Sequence, residues 1–315
     1  MNSARFSVVL GLVGLGNSWH MAHLLWGYPV WVGHGVHATA VLVWLVFLMR
    51  YTVKWVRDPR AAKAEACHPV QGHLVALVPI SSMLIALAIR PLSQALATAI
   101  FLPGLMGWLL LLLGQSGRVF MQGGAQTHPT HALYIPWVAG NFSAALVSSS
   151  LGWAGWDQMF FGAGVLSWLV LESVVLQRLL TADPLPAAMR ASFGIQLAPP
   201  AVGLVAYLAV ASEPSALVVH MLLGYAVLQV LVLLRLLPWI CAQGWSMSYW
   251  AVSFGATALA LGAQRGLAHS ATAPVSALAH LLFYMANGTV ALLLVGSVWV
   301  ADVLWAQCGF KNSGP

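Results

Sequence analysis

Residues 249–261 read YWAVSFGATALAL, an apolar stretch in which one bulky ring, Phe254, stands among small and weakly polar side chains. A helix that faced lipid would carry Leu, Ile and Val at these positions. Small residues instead indicate close contact with other helices or the wall of a narrow path. We therefore interpret Phe254 as a plug in such a path.

The chain around this stretch is too apolar for a water-soluble fold. Of its 315 residues, 60% are hydrophobic and only 6% are charged, so it cannot cover itself with a polar surface. Lipid cannot satisfy the hydrogen bonds of an open sheet edge, so the spans must be helices of about 20 apolar residues. The sequence predicts an all-α polytopic membrane protein with a single transmembrane domain, residues 1–315.

Turn and breaker residues divide the chain into ten predicted spans. These cover residues 5–27, 30–51, 69–89, 93–115, 129–152, 157–179, 189–211, 215–237, 246–268 and 274–305. The first span is long and is not followed by a small-residue cleavage site, so we expect a retained helix and not a removed signal peptide.

The basic residues predict the orientation of the spans. Most follow even-numbered spans and therefore fall on one side: Arg50, Lys54, Arg57, Arg60, Lys63, Arg118, Arg178, Arg190, Arg235 and Lys311. The opposite loops offer only Arg90 and Arg265. By the positive-inside rule, both termini are expected in the cytoplasm. The formal net charge of +6 reflects this bias and does not indicate a nucleic-acid partner.

The five odd-numbered spans share a helix breaker at one depth, about 12 to 16 Å from the cytoplasmic start at 1.5 Å per residue. A proline there frees a carbonyl, which is tolerated only where protein or water satisfies it. This pattern predicts five helical hairpins around a central pore, with kinked odd helices inside and bulky even helices outside. The alternative is that kinked, small-residue helices pack tightly and enclose no path. The breakers are Gly14, Pro79, Pro136, Pro199 and Gly255.

The predicted path has a nearly neutral wall. Apart from terminal positions, the odd spans contain no Asp, Glu, Lys or Arg, so they offer neither an acidic ring for cations nor a buried base that would trap an anion. Helix ends and the basic cytoplasmic face favour anions in such a path.

Five stretches of the chain carry a family pattern. They are THALYIPWVAGNF at 130–142, GAGVLSWLVLESVVLQRL at 162–179, GIQLAPP at 194–200, LGYAVLQVLVLLRLLPW at 223–239 and SYWAVSFG at 248–255. These stretches resemble the TehA tellurite-resistance proteins, a family that includes the slow anion channels of guard cells and fungal malate transporters. The resemblance covers nearly the whole chain. It implies ten helices in five hairpins around a pore, assembled as a homotrimer in the bacterial inner membrane.

The resemblance also implies roles for single residues. Phe254 maps to the phenylalanine that closes the pore, and Gly255 stands where several relatives have proline. The implied function is an anion-selective channel for small inorganic or organic anions, associated with tellurite resistance. A proton-coupled transporter of dicarboxylates, oxyanions or tellurite is the alternative. The implied pore-lining residues are Gly14, Pro79, Pro136, Pro199 and Gly255.

Eleven histidines leave a redox enzyme as a third hypothesis, since paired histidines can hold haem or two metals. These pairs lie near span ends, without carboxylate or thiolate partners, where histidines are more often hydrogen-bonded than ligating. We expect no metal, no cofactor and no enzymatic activity, and we assign no role to Cys67, Cys241 or Cys308. The histidine pairs are His20 with His23, His34 with His37, His68 with His73, and His128 with His131.

Glu172 is the one acid predicted deep in a span. A carboxylate within a membrane suggests a function such as proton relay in a symporter. The alternative, which we favour, is a structural carboxylate that holds neighbouring helices together.

Overall fold

The computed structural model describes residues 1–122, 129–242, 244–269 and 271–311, and within these ranges the secondary structure is helical without strands. The α-helices are α1 Ser7–Trp26, α2 Val30–Arg57, α3 Pro59–Cys67, α4 Gln71–Leu74, α5 Leu77–Ile89, α6 Gln94–Gln122, α7 Gly140–Ser150, α8 Trp156–Thr181, α9 Ala198–Val210, α10 Ala216–Cys241, α11 Ser253–His269 and α12 Ala273–Lys311. 3-10 segments form at Ser3–Phe6, His131–Leu133, Ala187–Leu197 and Met247–Val252, and a π-helix forms at Ile135–Ala139.

Eight helical runs in the described ranges are long and apolar enough to cross a membrane. This confirms the prediction of an all-helical, multi-pass membrane protein. The other two predicted spans, 129–152 and 246–268, fall on helical runs that π and 3-10 segments interrupt. The eight runs are Ser3–Trp26, Val30–Arg57, Gln71–Ile89, Gln94–Gly117, Trp156–Thr181, Ala187–Val210, Ala216–Cys241 and Ala273–Trp299.

Helix α3 was not among the predicted spans. It follows α2 directly and has only nine residues, with charges at Arg60, Lys63 and Glu65. Pro59 fits its first position because the missing N–H has no helical partner there. The Asp58 side chain caps it by accepting a hydrogen bond from Ala61 N at 3.0 Å.

Burial divides the spanning runs into two kinds. The runs that contain α1, α5 and α9 are 61%, 72% and 78% buried, and most residues of α7 and α11 are buried as well. We call these five the inner helices. The runs of α2, α6, α8, α10 and α12 are between 17% and 28% buried and expose bulky apolar side chains. We call these the outer helices.

Every inner helix begins irregularly, whereas the outer helices are regular along their described length. A 3-10 or π segment, or the short α4, precedes each inner helix. Pro136 lies in the π segment, and Pro199 in the first turn of α9. Gly14 differs from the other breakers because α1 continues through it without interruption.

The inner helices contact one another in a closed order, α1, α5, α7, α9, α11 and back to α1. Each also packs against the outer helix that follows it in the chain. Glycines permit the tight contact between α1 and α11: a Cβ at Gly11 would lie 2.3 Å from Ser253 Oγ, and one at Gly14 would lie 2.2 Å from Thr257 Oγ1. No larger residue fits these positions without moving α11.

Candidate functional site

A cavity of about 360 Å³ lies among the N-terminal ends of the inner helices. We call it the large cavity. Its wall is mostly apolar and, among the described residues, contains no Asp, Glu, Lys or Arg. The polar members of the wall come from all five inner runs or the segments just before them: Asn2, Ser7, His68, Gln71, Tyr134, Ser192 and Ser248.

A second cavity of about 20 Å³, the small cavity, lies farther along the same helices. Phe254 and Val202 line both cavities. On the run that contains α11, Ser248 and Ala251 line the large cavity, whereas Ala258 and later residues line the small one. The Phe254 ring therefore stands between the two cavities, and its exposed fraction is 8%.

The backbone around Phe254 is fixed by side-chain hydrogen bonds. Ser253 Oγ donates to Trp250 O at 2.8 Å, and Thr257 Oγ1 donates to Ser253 O at 2.9 Å. Trp250 Nε1 donates to Ser297 Oγ at 2.9 Å, which ties the 3-10 segment to α12. The small side chains here thus serve two purposes, because they form hydrogen bonds to the backbone and allow neighbouring helices to pack closely.

The structure brings three of the six residues singled out from the sequence to the cavities. Pro199 lines the large cavity, Gly14 the small one, and Phe254 both. Pro79 lies on the opposite side of α5, in a groove against α6. A Cβ added to Gly255 would lie 3.0 Å from Ala198 N, so Gly255 serves the contact between α11 and α9.

Pro136 also contacts a neighbouring helix, through its backbone. Its carbonyl accepts a hydrogen bond from Trp108 Nε1 at 2.7 Å, and Asn141 Nδ2 donates to Trp137 O at 2.7 Å. The carbonyls of the π segment thus find partners within the protein, as an irregular helix in an apolar environment requires. Gly140 leaves room for the indole, since a Cβ there would lie 1.9 Å from Trp108 Nε1.

Glu172 is surrounded by donors. Tyr134 OH donates to its carboxylate at 2.7 Å, Trp168 Nε1 at 2.9 Å and Gln196 Nε2 at 2.7 Å, and the hydroxyl of Tyr225 is a fourth donor. These donors come from both inner and outer runs. The arrangement supports the structural interpretation of Glu172, because every donor is engaged in holding the carboxylate in place.

The histidines pair with each other and with the backbone. His20 Nε2 lies 3.2 Å from His34 Nδ1, and His23 Nδ1 donates to Tyr28 O at 2.7 Å. His68 Nδ1 accepts from Gln71 N at 3.1 Å. In the described part of the chain, no three His, Cys, Asp or Glu side chains are grouped to hold a metal ion. His128 lies outside the described residues.

The structure adds one residue to this site. Arg265, which was expected among the charges of a connecting loop, lines the small cavity. The spacing contains the signal for this placement. Arg265 follows Phe254 by eleven residues, about three turns at 3.6 residues per turn, so both lie on one face of α11.

Comparisons with known proteins agree with the resemblance to TehA. A "Tellurite resistance protein TehA homolog" from Haemophilus influenzae is 32% identical over 256 residues, which cover 81% of this chain and 78% of that protein. The "S-type anion channel SLAH3" of Arabidopsis thaliana is 27% identical over 193 residues, 57% of this chain and 28% of that protein. The family model of SLAC1, described as a voltage-dependent anion channel, matches residues 1–298. The chain therefore belongs to the SLAC1 family of membrane anion channels and transporters.

Proposed function

We propose that the protein is a passive anion channel whose path runs between the inner helices and is closed by Phe254. Membership of the SLAC1 family supports anion transport across a membrane. The observation that carries the proposal is the position of Phe254, whose side chain lines both the large and the small cavity. The ring fills the space through which the cavities would otherwise join.

The proposal requires ten crossings, arranged as five hairpins. The closed order of contacts among the inner helices supports this arrangement, since each inner helix also packs on the outer helix that follows it. The runs at 131–150 and 247–269 would then cross the membrane together with the eight runs that are long and apolar enough to do so. Their irregular backbone faces protein, where an interrupted helix is tolerated at membrane depth.

The chemistry of the wall favours weak binding and fast passage of an anion. The described wall of the large cavity has hydroxyl, amide and imidazole groups but no carboxylate that would repel an anion. The basic residues that follow the outer helices would raise the local anion concentration on the cytoplasmic side. An uncharged wall, together with a Phe254 side chain that blocks the path, therefore fits a gated channel better than a tight binding site.

Replacing the ring tests the proposal. We expect Phe254→Ala to remain folded and to conduct anions well above wild type in planar bilayers, with Phe254→Leu intermediate. Ser253 and Thr257 are too small and too firmly hydrogen-bonded to refill the space. Currents no larger than wild type from a correctly folded Phe254→Ala protein would contradict the assignment of the gate.

Phe101→Ala is the matched control, because Phe101 is a fully buried ring of α6 outside both cavities. Loss of an ordinary core phenylalanine costs about 3–5 kcal/mol. We therefore expect Phe101→Ala to lower thermal stability without raising conductance.

The alternative, a proton-coupled transporter, differs from a channel in its dependence on a proton gradient. A channel passes current that does not depend on a proton gradient, whereas a symporter takes up dicarboxylate or tellurite only when protons enter with it. We propose channel activity because Glu172, the one acid predicted deep in a span, is held by four donors. Uptake into proteoliposomes that requires an inward proton gradient would favour the transporter.

We further propose that the protein forms a homotrimer in the bacterial inner membrane, with both termini in the cytoplasm. The resemblance to TehA proteins supports the trimer, and the distribution of basic residues supports the orientation. Light scattering of the detergent-solubilised protein measures the number of subunits. A monomeric mass at all protein concentrations would contradict the trimer.

A further inference from the structure

Arg265 and Asn17 are the two polar side chains in the wall of the small cavity. The rest of that wall, as far as it is described, is apolar and comes from all five inner helices. Phe254, Ala258, Leu261 and Arg265 follow one another at helical spacing along α11, so the guanidinium and the ring occupy the same face. Arg265 lies about 16 Å beyond the ring at 1.5 Å per residue.

A buried hydrogen bond fixes the two helices at this level. Ser18 Oγ of α1 donates to Gln264 Oε1 of α11 at 2.8 Å, and both residues are fully buried. These residues are the direct neighbours of Asn17 and Arg265. The bond therefore sets Asn17 and Arg265 at one height beside the cavity.

The guanidinium has no counter-charge in the described structure. The ion pair found there, Lys54 with Glu65, lies at the other end of the molecule, and no hydrogen bond to Arg265 occurs among the described residues. The Arg265 side chain is partly buried. Its five N–H donors make no hydrogen bond to a described residue and therefore remain available to a ligand. Such a group attracts an anion.

We propose that Arg265, together with Asn17, binds a permeating anion on the far side of Phe254 and selects small oxyanions there. The inference rests on the proposed channel. The planar fork of a guanidinium matches two oxygens of one anion, as in a carboxylate, whereas a halide offers a single point of contact. The cavity of about 20 Å³ holds little more than one water, so the bound anion is small and occupies space that opens when the ring moves.

The first test measures selectivity in the Phe254→Ala background. Relative to this parent, Arg265→Gln should lower anion conductance roughly tenfold, the effect expected for loss of a charge-assisted contact. It should also move the reversal potential in a KCl gradient towards zero. Arg265→Lys should keep the selectivity for anions over cations but lose the preference for formate over chloride. Unchanged selectivity in a conducting Arg265→Gln protein would overturn the inference.

Arg90→Gln is the matched control. It removes an exposed positive charge at the end of α5, outside the small cavity. Arg90→Gln should change neither the selectivity for anions over cations nor the preference for formate over chloride. An equal loss of anion selectivity in Arg90→Gln and Arg265→Gln would show that the effect comes from general surface charge, and it would contradict a site at Arg265.

The second test measures binding without conduction. A ligand that binds only the folded state raises the melting temperature. Sodium formate should raise the melting temperature of the purified Phe254→Ala protein above that in equal sodium chloride, and adding Arg265→Gln should abolish this difference. No difference in the folded Phe254→Ala protein would overturn the inference, even if this protein conducts. If the formate effect depends on Arg265 but Phe254→Ala conducts no anions, the channel proposal fails and the binding site stands.

Discussion

At the scale of single residues, Glu172 illustrates how an intramembrane acid can be structural. Its carboxylate accepts hydrogen bonds from Tyr134, Trp168, Gln196 and Tyr225. We expect Glu172→Gln to lower the melting temperature, because the amide that replaces one carboxylate oxygen turns an acceptor into a donor that faces other donors. A hydrogen bond to a charged group contributes about 1.5–3 kcal/mol.

The pH dependence of flux separates the two roles of Glu172. If the residue is structural, a folded Glu172→Gln protein should retain the wild-type dependence of flux on pH. Tyr225→Phe removes one of the four donors without touching the acid and should cause a smaller loss of stability. A well-folded Glu172→Gln protein that loses proton-coupled uptake would instead assign proton relay to this carboxylate.

At the scale of elements, the contact between α6 and α7 depends on a glycine. Gly140 begins α7 directly after the π segment, and Trp108 of α6 fills the space that a Cβ would need. We expect Gly140→Ala to displace the indole from its hydrogen bond with Pro136 O and to cost about 1–3 kcal/mol, the usual penalty of overpacking. Thermal unfolding in detergent measures this loss.

Gly224→Ala provides the comparison for Gly140→Ala. Gly224 lies inside α10, and a Cβ there would meet no atom within 4 Å. Alanine is the better helix former, so Gly224→Ala should leave the melting temperature unchanged or raise it slightly. Similar losses at both glycines would show that the space around Trp108 is not the cause.

A second element-scale contact joins the N-terminal segment to α3. Ser3 N and Oγ donate to Glu65 Oε1 at 2.8 and 2.6 Å, and Lys54 of α2 forms an ion pair with the same carboxylate. Burial alone raises the pKa of Glu65, but the hydrogen bonds from Lys54 and Ser3 outweigh it and hold the pKa below its ordinary value of 4.5. The charged carboxylate therefore stabilises the folded protein.

The sign of this pKa shift predicts a pH dependence. Because the folded-state pKa is lower than 4.5, the stabilising contribution is complete above 4.5 and is lost as the pH falls through the folded-state value. Glu65→Gln should therefore unfold at a lower temperature than wild type at neutral pH. The difference should shrink in acid below 4.5, and a difference that stays constant with pH would contradict the role of the charge.

The helices could be predicted from the sequence, whereas the directions of their side chains could only partly be predicted. Apolar runs and breakers located the spans, because lipid imposes length and hydropathy directly on the chain. Pro79 and Pro136 were expected at the pore; the structure places Pro79 in a groove against α6, and the carbonyl of Pro136 accepts a hydrogen bond from Trp108 of α6. The rotation of a helix depends on packing partners distant in sequence, such as Trp108, which no local pattern encodes. Arg265 was expected in a connecting loop, although its spacing from Phe254 indicates a position on the same face of α11.

At the scale of the whole molecule, the number of runs that cross the membrane determines on which side each cysteine lies. One run, Gln71–Ile89, separates Cys67 from Arg90, so these two positions must lie on opposite sides. Between Cys67 and Cys241 lie five of the eight long apolar runs and, in addition, the interrupted run at 131–150. The two thiols therefore lie on the same side of the membrane only if the interrupted run also crosses, because the number of crossings between them is then even.

Thiol labelling decides between these arrangements, because Cys67 and Cys241 are both exposed. The Cys308→Ser background removes the third thiol, whose side chain lies outside the described part of the chain. With one remaining cysteine at a time, we expect a membrane-impermeant maleimide to label neither Cys67 nor Cys241 in intact spheroplasts and both after permeabilisation.

The control is Arg90→Cys in a background without the other thiols, and the maleimide should label this cysteine in intact spheroplasts. Labelling of only one native thiol in intact spheroplasts would refute the crossing of residues 131–150, whereas labelling of both would keep the even count and invert the orientation that the basic residues predict.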